Sequence, residues 1–149
     1  MTTLEQYRHL GFKPTPQRIA ILDYLKQTRE HPSAEEIFRE VGKKFPSMSP
    51  ATVYSTLSAL KSRGNVLELT MDPEKRRYDA DTGPHHHLIC LTCKRIVDIP
   101  DTFELNPAPA STADFIMIKH HIEFFGICPN CKKKDDITQT KENINVRRS

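Results

Sequence analysis

Through the first half of the chain, apolar positions recur at helical spacing in three successive stretches. In TPQRIAILDYLKQT the stripe is Ile19, Leu22 and Leu25, with Thr15 at an N-cap and Pro16 at the first helical position, where a missing N–H costs nothing. In SAEEIFREVGKKF a capping box of Ser33 and Glu36 precedes Ile37 and Val41 on one face. SPATVYSTLSALKSRG starts at Ser49 and Pro50, carries Val53, Leu57 and Leu60, and stops at Gly64. The period then shortens to two: NVLELTMD reads as a strand, and PEKRRYDA as its returning partner. Three helices followed by a two-stranded ribbon is the winged-helix form of the helix-turn-helix plan, whose last helix enters the major groove.

The second half reads as α/β rather than helical. HHHLICL and RIVDIP form a strand pair joined at TCK, FELNPAPASTADF is a connection rich in proline, alanine and serine, and FIMIKHHIEFFGIC is a long strand. The expected division is a winged-helix domain at 1–80, a hinge at 81–84 within DADTGP, and a second domain at 85–134. The low apolar content of 135–149 predicts a disordered tail.

Composition narrows the class. The 149 residues are 37% hydrophobic and 28% charged, a soluble globular balance. No apolar run approaches the ~20 residues that span a bilayer. MTTLEQYRHL has no secretory h-region, so the expected compartment is the cytoplasm, where thiols stay reduced and serve metals or redox chemistry. The net charge of +3 is unevenly spread: residues 1–80 hold 13 Lys/Arg against 10 Asp/Glu, while residues 81–131 hold 3 against 6. A mildly basic first half permits DNA binding without establishing it.

The candidate chemistry lies in the second half. Cys90 and Cys93 form one CxxC, and Cys128 and Cys131 another. Two such knuckles supply the four thiolates of a tetrahedral structural Zn²⁺. A redox pair or ordinary buried thiols fit less well, because neither CxxC opens a helix in a βαβ setting. The histidine run divides by strand alternation: His85 and His87 share one face, and His86 points with Cys90 to the other. A hairpin turning tightly about Thr92 and Cys93 sets His87 opposite Asp98. Two imidazoles and a carboxylate then converge away from the cysteines, as a second metal site with N/O ligands. The bland alternative is a solvated polar stretch.

On the helix from Pro50 to Arg63, the core stripe turns Thr52, Ser55 and Ser58 outward, which makes Thr52 and Ser55 candidate DNA contacts. Tyr54 lies beside the stripe, as a core-edge aromatic or as a base contact able to meet a thymine methyl. Arg18, Lys61, Arg63, Arg76 and Arg77 are candidate phosphate contacts.

Taken in order, KPTPQR, HPSAEEI, SPATVYSTLSALKSRGNV, RYD, HHHLICLTCKRIVDI and EFFGICPNC resemble the successive signatures of the ferric uptake regulator (Fur) family over residues 11–131. The resemblance implies an α+β protein: a winged-helix DNA-binding domain followed by an α/β dimerisation domain with a four-cysteine zinc site. It implies a homodimeric, metal-dependent repressor on a palindromic operator, with Tyr54 contacting DNA. It further implies that His31, Asp79, His85, His87 and Asp98 form a regulatory site for Fe²⁺ or Mn²⁺. Asp79 and Asp98 resemble the peroxide-sensing (PerR) branch, since iron-uptake members carry glutamate at the position of Asp98. In that branch hydrogen peroxide oxidises a ligating histidine, by match His31 or His85. Pro84 and His86 depart from the residues that iron-uptake members place at an accessory metal site, of which His120 remains. FELNPAPASTADF is also shorter than the helix-bearing connection of the resembling proteins.

The expected function is therefore a peroxide-responsive transcriptional repressor. Within the same class the alternative is an iron- or zinc-responsive repressor of metal uptake, which chelation rather than peroxide would release from DNA. A metalloenzyme is the reading from another class, since a His/Asp site can activate water. Against it, five protein ligands leave little room for a substrate, and no separate acid–base pair is present. A zinc-stabilised interaction module is the remaining reading, marked by failure to retard promoter DNA.

Overall fold

The structure, a computed structural model, describes residues 5–10 and 12–134, so the tail at 135–149 lies outside the described residues. The chain divides into two units, Met1–Gly83 and Pro84–Ser149.

In the first unit, a 3-10 turn at Glu5–Leu10 precedes three helices: α1 (Pro16–Gln27), α2 (Ala34–Gly42) and α3 (Pro50–Ser62). Each helix starts where a side-chain oxygen meets an orphan N–H. Thr15 Oγ1 accepts from Arg18 N at 3.3 Å, and Ser49 Oγ accepts from Thr52 N at 3.3 Å. At α2 the capping box closes in both directions: Ser33 Oγ accepts from Glu36 N at 3.3 Å, and Ser33 N donates to Glu36 Oε2 at 2.7 Å. Gly64 ends α3 at φ +71°, a conformation that a side chain would strain.

The core of this unit joins Ile21, Leu22 and Leu25 of α1 to Ile37 and Val41 of α2, and to Val53, Leu57 and Leu60 of α3. Thr56, also fully buried, returns its hydroxyl to the Thr52 carbonyl at 2.6 Å, which removes the cost of its polar atom.

The expected ribbon is present but shorter. β1 (Leu67–Leu69) pairs antiparallel with β2 (Arg77–Asp79), three residues on each side. The chain between them turns, with Asp72 Oδ1 accepting from Glu74 N at 2.9 Å, so PEKRRYDA is extended only at its RYD end.

In the second unit, β3 (His86–Cys90) lies between β4 (Ile96–Ile99) and β5 (Glu123–Gly126). β4 is antiparallel to β3, and β5 is parallel to it. The long strand expected over FIMIKHHIEFFGIC is reduced to its last third. β3 provides pairing partners only from His87 to Cys90, so backbone before Glu123 has no ladder to join. Instead, Ile122 N donates to His86 Nδ1 at 3.0 Å. Phe115, Ile116 and Ile118 are exposed, each above 80%. Pro107 and Pro109 suit no long helix, and the connection holds only a 3-10 turn at Pro109–Ser111. A short α4 (Pro129–Lys132), unmarked by any apolar period, follows β5.

Candidate metal centres and the exposed face of the third helix

The parallel pairing of β3 and β5 decides the position of the cysteines. With Cys90 beside Gly126, both CxxC turns leave the sheet at the same end. The first knuckle turns back through Lys94 at φ +63°, with Lys94 N donating to the Cys90 carbonyl and Cys90 N to that of Arg95, each at 2.9 Å. The second is built by α4, whose Cys131 N donates to the Cys128 carbonyl at 3.1 Å. The four Sγ atoms lie within 4.8 Å of one another, and Cys93 and Cys128 are 3.7 Å apart. Thiolates placed tetrahedrally at ~2.3 Å from an ion stand ~3.8 Å from each other, so the set fits zinc.

The thiols also differ sharply in acidity. Burial raises Cys90, but N–H groups of Cys128, Cys93 and Thr92 outweigh it and bring the thiol to about 6. Its hydrogen bond with the Cys128 sulfur, followed by burial, pushes Cys131 up to about 12. Such a cluster does not hold four negative charges unaided; a divalent cation removes that obstacle.

The three histidines separate as alternation requires. His87 stands opposite Asp98 in the β3–β4 register, as the tight hairpin predicts. The Nε2 atoms of His85 and His87 are 3.0 Å apart, and Asp98 Oδ1 lies 3.5 Å from the first and 3.6 Å from the second. Neighbouring ligands held at ~2.1 Å by an octahedral ion stand ~3.0 Å apart, so this triplet needs little adjustment to share one cation. His86 faces away: besides accepting from Ile122, its ring packs on Phe103 at 5.3 Å and stacks with His120 at 6.4 Å. The histidine run is thus two converging imidazoles and one anchor for the connection.

In the first unit, His31 and Asp79 form a pair of their own. His31 Nε2 lies 3.4 Å from Asp79 Oδ2, with both side chains buried. The other carboxylate oxygen accepts from Asp81 N at 2.8 Å, so Asp79 is both a turn former and a partner for an imidazole. No residue spacing points to what places His31 there. Arg77, exposed by only 7%, directs Nε to the His31 carbonyl, Nη2 to the Glu30 carbonyl at 3.0 Å and Nη1 to Asp72 Oδ2 at 3.2 Å. Tyr78 N adds a bond to the Pro32 carbonyl at 3.0 Å. Arg77 therefore does not face a phosphate, contrary to the expectation from its place in a basic ribbon; its guanidinium is engaged inside the unit.

The other candidate DNA contacts are differently placed. Tyr54 is 53% exposed on α3 and takes no part in the core, and Ser55, Ser58, Arg63 and Arg76 are also exposed. Thr52 is half-buried, with Oγ1 3.1 Å from Ser49 Oγ in the helix cap. Lys61 is paired with Glu68 at 2.9 Å, and Arg18 lies over the Phe12 ring with Nη1 donating to the Lys13 carbonyl.

The model of the ferric uptake regulator family matches residues 9–125. The chain belongs to this family. Members of the ferric uptake regulator family are metal-dependent regulators that bind DNA as dimers. Among its relatives, the peroxide operon regulator of Bacillus subtilis is 39% identical over 135 residues, which cover 89% of this chain and 93% of that protein. The peroxide-responsive repressor PerR of Staphylococcus epidermidis is 37% identical over 134 residues, 89% of each chain. Among solved structures, the ferric uptake regulator of Helicobacter pylori, described as having three functional metal-binding sites, aligns with a TM-score of 0.69 at 25% identity, over 86% of this chain and 87% of that one. The Campylobacter jejuni peroxide stress regulator aligns with a TM-score of 0.64 at 27% identity, over 88% and 100%. Among the described residues, no helix is long and apolar enough to cross a membrane.

Proposed function

We propose that the chain is a peroxide-responsive transcriptional repressor acting in the cytoplasm, a homodimer that binds a palindromic operator when loaded with Fe²⁺ or Mn²⁺. The observation that carries this reading is the donor set. His85, His87 and Asp98 present nitrogen and oxygen to a common point, and His31 with Asp79 present the same chemistry. No thiolate is among them to select a soft metal. The names of the relatives at 37–39% identity support the peroxide branch.

In this reading His31 and Asp79 complete the coordination that His85, His87 and Asp98 begin, so that one ion couples the DNA-reading unit to the dimerising unit. The four cysteines hold a separate zinc ion whose role is to fold the second unit. Fe²⁺ held by these residues would lend one electron to open the O–O bond of hydrogen peroxide and recover it as the ring is oxidised, so that peroxide is the net two-electron oxidant. A carbon–hydrogen bond of the His31 or His85 ring becomes carbon–oxygen, and the second peroxide oxygen leaves as water. The altered imidazole is a poorer ligand, the coupling is lost and repression ends. The protein is modified once and does not turn over, so it acts as a sensor and not as an enzyme.

The test is retention of a promoter fragment by the Fe²⁺ and Mn²⁺ forms before and after peroxide. Loss of binding by the iron form alone is expected. Release from DNA by chelation, with no effect of peroxide on the iron form, would make the protein a metal-uptake regulator instead.

A further inference from the structure

We infer that Arg77 is a positioning residue for the regulatory metal site, acting as a latch that presents the His31 imidazole to the ion; the inference rests on His31 and Asp79 being ligands. The guanidinium is buried, with its side chain 9% exposed, and Asp72, fully buried beside it, balances its charge. Its Nε and Nη2 reach two successive carbonyls, those of His31 and Glu30. Such a three-way arrangement needs a planar fork, and a lysine ammonium on its flexible stem does not reproduce it.

What the fork holds in place is a backbone that does not favour its own conformation. His31 has φ +50°, the left-handed region, which costs a non-glycine residue on the order of 1 kcal/mol. It also precedes Pro32, whose ring narrows its choices further. A residue in this state persists only where its surroundings impose it. Arg77 and the Tyr78 N–H both grip this loop, and both are on β2, the strand that ends in Asp79. One three-residue strand thus carries the carboxylate and, two positions earlier, the guanidinium that aims the imidazole toward it. Released from the latch, the His31 loop relaxes toward ordinary backbone angles and its ring leaves Asp79.

The experiment compares the full-length, zinc-loaded protein with Arg77→Lys and with His31→Ala. Two quantities are read: Mn²⁺ affinity, and hydrogen exchange of the Tyr78 amide without Mn²⁺. Arg77→Lys is expected to keep zinc and its helical unfolding transition, to exchange the Tyr78 amide at least about tenfold faster, and to bind Mn²⁺ about 10–100-fold more weakly, the usual loss when a ligand's support is removed. Faster exchange with unchanged Mn²⁺ affinity, or weaker affinity with unchanged exchange, overturns the latch. If His31→Ala loses affinity while Arg77→Lys keeps it, only the positioning role fails. If His31→Ala keeps it, the ligand reading fails and the latch with it. Should Arg77→Lys not fold, Asp72→Asn with Arg77→Met removes both buried charges together and permits the same two readings. Unfolding of both variants assigns Arg77 to the fold and also overturns the proposal.

Discussion

Replacing Cys128 by serine tests how the second unit is held together. A serine hydroxyl stays protonated at neutral pH, so the substitution removes one of four zinc ligands without changing the size of the side chain much. Among the described residues of this unit, the buried apolar side chains besides the cysteines are Ile89 and Ile96. Their burial contributes ~3–6 kcal/mol together, at ~1.5–3 kcal/mol each. A structural zinc bound by four thiolates contributes ~10–16 kcal/mol. Zinc therefore stabilises the unit more than its apolar core does, and the variant is expected to lose both the ion and the β3–β4–β5 sheet. The first unit has its own thirteen-residue core between Leu10 and Tyr78 and should keep its helices. Zinc content, far-ultraviolet circular dichroism and amide exchange separate these effects. The Cys90 and Leu91 amides, which donate across the sheet, should exchange at least about a hundredfold faster, equivalent to ~2.7 kcal/mol. The helical signal should change little, and the dimer should dissociate. A zinc-free variant with protected β3 amides would refute this account of the unit.

Three further outcomes are expected. His87→Ala and Asp98→Ala should each retain zinc but lose Fe²⁺- or Mn²⁺-dependent DNA binding; zinc loss in either, measured by metal analysis, would contradict the separation of the two faces of β3. Tyr54→Ala should reduce discrimination between operator and random DNA, while Arg63→Ala should weaken both and lower the salt slope by about one; an unchanged ratio in the first variant would remove the tyrosine from recognition. Burial raises Glu36, but the Ser33 N–H, the Ser33 hydroxyl and Lys75 outweigh it and hold its carboxyl below the ordinary 4.5. A lowered carboxyl stabilises the fold above the unfolded value and loses that contribution as pH falls through the folded one. Glu36→Gln should thus lower stability at pH 7, and lower it progressively less as pH falls through the carboxyl's folded value, as read by denaturant unfolding across pH.

The starts of the helices are legible in the sequence because each depends on a few adjacent residues, as Ser33 and Glu36 show. The convergence of His85, His87 and Asp98 is legible for a similar reason: alternation and one tight hairpin determine it. β5 is shorter than its sequence suggests because FIMIKHHIEFFGIC reads as a strand throughout, whereas strand length depends on the partner, and β3 offers only four positions. The parallel pairing that unites the two CxxC turns is likewise non-local. Arg77 misleads because a basic residue beside another in a ribbon carries the same local signal whether it faces solvent or a buried carbonyl. Its partners are Asp72 and the loop at Glu30 and His31, and the latter lies 46 residues away in sequence. HPSAEE holds a hint of the latch, since a histidine before a proline has few comfortable conformations.

The measurement that bears most directly on the proposed function is mass spectrometry of the Fe²⁺-loaded and Mn²⁺-loaded dimers after brief peroxide treatment, with operator binding followed in the same samples. One added oxygen atom on His31 or His85 is expected in the iron form, with loss of operator binding in proportion to that modification and an unmodified, DNA-bound manganese form. Loss of DNA binding with both histidines unmodified, or equal peroxide sensitivity of the manganese form, would contradict the proposed function.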